Sequence, residues 1–266
     1  MHRARKRFGQ NFLHDEGVID RIVRSIAPKP GQHLVEIGPG RGALTEPLLA
    51  ATAGELDVVE LDRDLIPILK AQFFRHEALR IHEADALTFD YTTLITDERP
   101  LRLVGNLPYN ISTPLMFHLL NYADNITDMH FMLQKEVVQR LCAAPGDSAY
   151  GRLGIMMQYY CEARYLFTVP PGAFSPAPKV ESAIVRLTPR RHFDVVARDT
   201  NHLATVVRRA FHQRRKTLRN NFKGLFTDDQ LLALDINPGD RAEKRSISDY
   251  VRLANTLGEA TESTEE

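Results

Sequence analysis

Within Gly105-Asn106-Leu107-Pro108-Tyr109-Asn110 lie the groups needed to act on an amino group carried by an aromatic ring. Such an amine is a poor nucleophile because its lone pair is delocalised into the ring. The side-chain oxygen of Asn106 and the backbone carbonyl of Pro108 can both accept hydrogen bonds from it. Their acceptance favours localising the lone pair on nitrogen, with no strong base required. Pro108 lacks an N–H and fixes the local backbone, while Tyr109 offers a face on which a flipped base can stack. The chemistry would be transfer of a methyl group to the exocyclic nitrogen of adenine. Taken alone, Asn106 to Tyr109 also fits a strand-end turn with a buried tyrosine. Phe174 lies in the proline-rich stretch Thr168 to Pro178, on a loop rather than a periodic face. That position suits the second face of an adenine sandwich, against the alternative of an ordinary core phenylalanine.

A second constellation precedes this loop. Val35-Glu36-Ile37-Gly38-Pro39-Gly40-Arg41-Gly42-Ala43-Leu44-Thr45 reads as a strand running into a glycine turn and then a helix. Glycines permit tight turning and close backbone approach to a ligand. Glu60 ends the next strand, where a carboxylate can accept both ribose hydroxyls of an adenosine. Gly38, Gly40 and Ala43 also satisfy the dinucleotide fingerprint, so a dehydrogenase is a competing reading. Two features oppose it. Glu36 places negative charge where a cationic sulfonium cofactor with a free amino group is better served than a pyrophosphate. Pro39 removes a backbone donor that a phosphate cradle would use. Asp85, after the third strand, is placed to accept a hydrogen bond from the cofactor's adenine amino group. The cofactor expected from these residues is S-adenosyl-L-methionine.

The elements that must position these groups follow from the pattern around them. Strands are expected at 33–37, 56–61, 79–83, 101–105 and 129–133. Helices are expected from 44, over 63–74 and over 135–143. This alternation implies a Rossmann-like α/β fold, a parallel sheet with helices on both faces that binds ligands at the carboxyl ends of its strands. Glu181 to Leu187 resumes a β pattern. After Pro189 the texture becomes helical, over 201–222, from 227 with Thr227 as N-cap, and over 247–257. The expected organisation is a catalytic domain over 1–189, a small all-α domain over 190–258 and a disordered acidic tail over 259–266.

Composition narrows the class. The chain has 266 residues, 43% of them hydrophobic, enough to fill a core. No apolar run reaches membrane-spanning length, and the basic start Arg3, Arg5, Lys6, Arg7 has no apolar stretch behind it, so no secretory signal is expected. Cys142 and Cys161 are the two cysteines, too few for a metal cluster or disulfide framework. A reduced, cytoplasmic setting and no metal are expected. Lysine plus arginine and aspartate plus glutamate each number 34, so global charge announces no nucleic acid. The distribution is less neutral. Arg208, Arg214, Arg215, Lys216 and Arg219, with Arg209 and Lys223 nearby, form a basic run without an acid. Such a patch can track a phosphate backbone while the whole protein stays neutral, or simply be a solvated helix face.

Together these motifs resemble the bacterial small-subunit (16S) ribosomal RNA adenine dimethyltransferases, the KsgA-type family. The resemblance rests on Lys6 to Leu13, Glu36 to Gly42, Asn106 to Tyr109, Phe174 to Ser182 and Arg214 to Asn220, and spans nearly the whole chain. It implies cofactor contacts at Asn11, Leu13, Gly38, Glu60, Asp85 and Asn106, and an adenine clamp of Tyr109 and Phe174. Asn11 and Leu13 rest on the resemblance alone. It further implies dimethylation of two adjacent adenosines in a hairpin near the 3′ end of small-subunit rRNA, by a monomer acting on immature 30S subunits late in assembly. Relatives that methylate large-subunit rRNA share the Asn-Leu-Pro-Tyr-like loop and the Phe-x-Pro-x-Pro-Lys-Val stretch. The Lys6 to Leu13 and Arg214 to Asn220 segments fit the small-subunit branch better. A protein that docks on RNA without catalysis, and a DNA adenine methyltransferase, are the other readings. The intact Asn106 to Tyr109 loop argues against the first, and Leu107, where DNA enzymes usually carry proline, against the second.

Overall fold

The structure, a computed structural model, describes residues 11–262, with side chains to 257. Arg3 to Gln10, part of the expected N-terminal segment, lie outside the described residues. Two compact units are present, one of Met1–Val138 with Glu162–Pro189, the other of Gln139–Cys161 with Arg190–Glu266.

The first unit is built on a sheet. In chain order the strands are β1 (Phe12–Leu13), β2 (His33–Ile37), β3 (Leu56–Glu60), β4 (Leu79–Glu83), β5 (Leu101–Asn106), β6 (Ile126–Gln134), β7 (Cys161–Val169), β8 (Phe174–Ser175) and β9 (Ser182–Pro189). Seven of them form one sheet in the order β4-β3-β2-β5-β6-β9-β7. From β4 to β6 the pairing is parallel. Every residue of β2 and β3 is buried, including His33, Glu36, Asp57 and Glu60, whose side chains are hydrogen-bonded. The expected parallel sheet needs one correction: β9 runs antiparallel to β6. A local apolar pattern sets burial, not strand direction, so direction was not legible. The strand order turns at β2, flanked by β3 on one side and β5 on the other. That is the switch point at which such sheets open a crevice.

The helices here are α1 (Glu16–Ile26), α2 (Thr45–Ala51), α3 (Ile66–Gln72), α4 (Ser112–Leu119) and α5 (Lys135–Cys142), the last crossing into the second unit. α1 and α4 were not anticipated. α1 starts where Asp15 accepts the Val18 N–H at 2.9 Å and buries Ile22 and Ile26.

The second unit is helical: α6 (Arg152–Tyr160), α7 (Thr200–Ala210), α8 (Leu218–Asn221), α9 (Asp228–Leu232) and α10 (Ile247–Glu262). Its boundary at 190 agrees with the sequence pattern, but residues 139–161, assigned above to the catalytic domain, belong to it. Tyr150, Ile155 and Tyr159 pack into one core with Leu203, Val206, Tyr250 and Leu253. The helix expected over 201–222 breaks after Ala210. His212 to Lys216 are all exposed and supply no apolar face. The Asn221 amide closes the end of α7 by donating to the Ala210 and Gln213 carbonyls at 2.7 and 3.2 Å. Thr227 does cap α9, in a reciprocal box with Gln230. The tail is corrected in part: α10 continues through residue 262, while 263–266 lie outside the described residues.

Candidate functional site

At the carboxyl ends of β2, β3, β4 and β5 the chain encloses a cavity of about 340 Å³. The turn after β2 forms its floor. Gly38 donates to the Val59 carbonyl at 2.9 Å and Gly42 to the Pro39 carbonyl at 2.9 Å. Gly40 has φ +59°, and a Cβ there would stand 3.2 Å from the Phe12 ring. Glycine thus serves both the turn and the close approach of the N-terminal segment. The Arg41 guanidinium lies 4.6 Å from the centre of the same ring. At the end of β5, Gly105 is also obligatory, since a Cβ would meet the Ile37 carbonyl at 2.7 Å.

Four carboxylates line the cavity: Glu36 on β2, Glu60 at the end of β3, Asp62 just after it and Asp85 just after β4. Glu60 accepts the backbone N–H of Asp62 at 2.8 Å and of Gly40 at 3.3 Å. Burial raises its pKa, opposed by those two bonds. A carboxylate has about four acceptor sites, so Glu60 retains capacity for ribose hydroxyls. Asp85 accepts the Leu87 N–H at 2.9 Å through one oxygen, leaving the other for a ligand. Glu36 is 2% exposed and accepts the Thr45 hydroxyl at 2.6 Å. Burial pushes it up to about 8, the Thr45 bond opposing and the charge of Glu60 adding. The Glu36 carboxyl thus lies well above the ordinary carboxylate range.

The loop after β5 supplies the other wall. Asn106 donates its amide N–H to the Asn11 carbonyl at 3.2 Å. That bond orients the amide and leaves its oxygen as an acceptor. The Pro108 carbonyl accepts the Ile111 N–H at 3.2 Å, which uses one of its two lone pairs. Tyr109 is half-buried, its hydroxyl 2.7 Å from Ser182 Oγ and its carbonyl accepting from Ser112 Oγ at 3.2 Å. Burial raises the Tyr109 pKa against the Ser182 bond, so the phenol keeps its proton. Phe174 is both readings at once: it is buried in the core cluster with Leu13 and it lines the cavity. β1 and β8 pair antiparallel, Leu13 opposite Phe174.

The structure thus gathers Asn11, Leu13, Gly38, Glu60, Asp85, Asn106, Pro108, Tyr109 and Phe174 around one space. Residues separated by up to 163 positions in the sequence meet there, from Asn11 to Phe174. Leu61, Asp62, Leu65 and Ile111 also line it and were not anticipated. Leu61 is apolar yet 47% exposed, and in the sequence it reads only as the last residue of a strand, so nothing there marked it. The residues fit S-adenosyl-L-methionine: acceptors at two strand ends for an adenosine, apolar side chains between them, and a buried acid on the neighbouring strand.

The basic run lies in the second unit. All five predicted residues are exposed, but they are not equivalent. Arg214 donates to the carbonyls of Ser148 and Tyr150, and Arg219 pairs with Asp228 at 2.7 Å. Arg208, Arg215 and Lys216 have no hydrogen-bond or ion-pair partner for their side chains among the described residues. Among those residues no group of acids, histidines and cysteines could hold a metal, and no helix is long and apolar enough to cross a membrane.

Residues 1–259 match the family model for ribosomal RNA adenine dimethylase. Ribosomal RNA small subunit methyltransferase A from Marinobacter nauticus is 61% identical over 258 residues, covering 97% of this chain and 93% of the relative. The protein of the same name from Hahella chejuensis is 62% identical over 253 residues, 95% and 92% of the two chains. Among solved structures, a dimethyladenosine transferase from Plasmodium falciparum superposes with a TM-score of 0.78 at 26% identity, over 93% of this chain and 98% of the other. The 23S rRNA methyltransferase ErmE shares the fold, with a TM-score of 0.73 at 24% identity, over 93% and 100%. The chain belongs to the ribosomal RNA adenine dimethylase family.

Proposed function

We propose that this chain is an S-adenosyl-L-methionine-dependent rRNA adenine dimethyltransferase. It transfers methyl groups to N6 of two adjacent adenosines in a hairpin loop near the 3′ end of small-subunit (16S) rRNA. Its setting is the cytoplasm, its substrate the immature 30S subunit late in ribosome biogenesis, and its working form a monomer. The observation that supports the reading is Asn106, its amide N–H tied to the Asn11 carbonyl, lining one cavity with Tyr109, Phe174, Glu60 and Asp85.

In this reading Glu60 accepts the ribose hydroxyls and Asp85 the adenine amino group of the cofactor, whose sulfonium supplies the electrophilic methyl. Leu13, Gly38 and Asn11 close around it. Tyr109 and Phe174 clamp the target base. Asn106 Oδ1 and the free lone pair of the Pro108 carbonyl accept hydrogen bonds from its amino group, and the lone pair localises toward the methyl. No protein base is needed. After transfer the nitrogen is cationic and acidic, and its proton would pass to solvent water. The same acceptors then hold the monomethylated amine for a second round. Arg208, Arg215 and Lys216 are the phosphate-contacting members of the basic run, while Arg214 and Arg219 shape it.

The test is methyl transfer from labelled cofactor to immature small subunits, large subunits and duplex DNA in parallel, with the product digested to nucleosides. Dimethyladenosine from small subunits alone is expected. Label in large-subunit RNA would move the chain to the other rRNA branch. No label anywhere, with cofactor still bound, would leave only a docking role.

A further inference from the structure

We propose that Ser182 is a positioning residue for this reaction, its hydroxyl setting the orientation in which Tyr109 receives the target adenine. The inference rests on the proposed function. Ser182 opens β9, is fully buried and does not line the cavity, so it acts through another residue or not at all. A buried hydroxyl requires a partner, and the partner here is the Tyr109 hydroxyl at 2.7 Å. The other polar end of Tyr109, its carbonyl, accepts from the hydroxyl of Ser112, which is also buried and opens α4. Tyr109 is thus held at both ends, by serines from the two elements that flank its loop in space.

The geometry of a tyrosine side chain makes such a tether selective. Its hydroxyl lies on the χ2 axis, so a ring flip leaves the bond intact. A change of χ1 swings the hydroxyl by several Å and breaks it. The bond therefore chooses one χ1 rotamer without restraining the flip. The tether is also referenced to the group that binds the target amine. Asn106 pairs with Met132, and Met132 pairs with Ile184. Ser182 stands two residues from Ile184 along β9, on the same face, opposite Gln134. The sheet's hydrogen bonds thereby set the spacing between the Asn106 acceptor and the anchor of the stacking ring. Without the anchor, a half-buried loop tyrosine divides its population among rotamers and only part of it is competent.

The test compares Ser182→Ala, Tyr109→Phe and the double variant in the full chain. The readouts are turnover on immature small subunits, cofactor affinity by calorimetry, and fluorescence quenching of 2-aminopurine placed at the target position of an RNA hairpin. Each single change should lower turnover about fivefold, equivalent to about 1 kcal/mol for one hydrogen bond. Quenching should weaken in both and cofactor affinity stay unchanged. The double variant should be no worse than Tyr109→Phe. A double variant that falls by the product of the singles overturns the proposal, as does a Ser182→Ala loss of cofactor affinity matching its loss of turnover. Tyr109→Phe removes the same bond with β9 untouched, so wild-type turnover and quenching in that variant overturn it even if Ser182→Ala fails to fold. A wild-type chain that methylates no RNA overturns the proposed function as well. Activity in the wild type with any of the other three results removes only the role of Ser182.

Discussion

Replacing Glu36 with glutamine should stabilise the unliganded chain at alkaline pH and flatten its pH dependence. Glu36 is 2% exposed on β2, with the Thr45 hydroxyl as its hydrogen-bond donor. Burial pushes its carboxyl from 4.5 up to about 8, against the Thr45 bond and with the added effect of the Glu60 charge. In the unfolded chain the group titrates near its ordinary value. Between about 4.5 and 8 the folded state therefore binds more protons than the unfolded one, and stability falls as pH rises. Relative to acid pH, the group costs about 2 kcal/mol at pH 6 and about 4–5 kcal/mol at pH 9. The difference, about 2–3 kcal/mol, is what glutamine should remove, since it cannot ionise and still accepts from Thr45. Urea unfolding of both proteins without cofactor, at pH 6 and pH 9, measures it directly. The variant's advantage should widen by about 2–3 kcal/mol across that interval. An unchanged gap would refute the reasoning, because it would mean that Glu36 carries the same charge folded and unfolded.

Asn106→Ala should cut turnover about 10²-fold or more, the effect of removing one pre-placed acceptor or donor at a reacting centre. Cofactor affinity, by calorimetry, should change far less, and near-wild-type activity would exclude the hydrogen-bonding role. Neutralising Arg208, Arg215 and Lys216 together should weaken rRNA binding and reduce the slope of log affinity against log salt by about 2–3. An unchanged slope would mean that these side chains face solvent. Asp57, buried on β3, lies 2.7 Å from each of the His33 and His82 Nε2 atoms and accepts from Arg80 at 2.7 and 2.9 Å. Burial opposes its charge, and those partners outweigh it, holding the carboxyl below the usual range. Asp57→Ala should therefore lower stability by about 1–3 kcal/mol in urea unfolding, because it leaves the buried His33 ring without its partner while the exposed Arg80 stays solvated.

Much of the candidate site was legible because it is local. A strand that ends in glycines, or in Asn-Leu-Pro-Tyr, writes its own turn through backbone restrictions within a few residues, and β2 and β4 have the expected bounds. The glycine turn, Glu60, Asp85 and the Asn106 loop each lie at or just after the carboxyl end of a strand, where the rule for such sheets puts the ligand. α1 and α4 escaped notice. α1 did carry a local signal, Asp15 as cap and Val18, Ile19, Ile22, Val23 and Ile26 along one face, whereas α4 opens on Ser112, Thr113 and Pro114 and has no clear apolar face.

What the amino-acid order alone determined, then, is which residue types stand at which strand ends, and hence the chemistry. Tertiary structure decided how those residues are held. Asn106 is oriented by Asn11, 95 positions away, and Tyr109 is tethered by Ser182, 73 positions away. Only folding makes Glu36 resist ionisation, since its pKa depends on what is packed around it. The antiparallel course of β9, the transfer of residues 139–161 to the second unit and the division of the basic run into paired and unpaired members are of the same kind. Each rests on contacts between distant segments, and no periodicity within one segment encodes its partner.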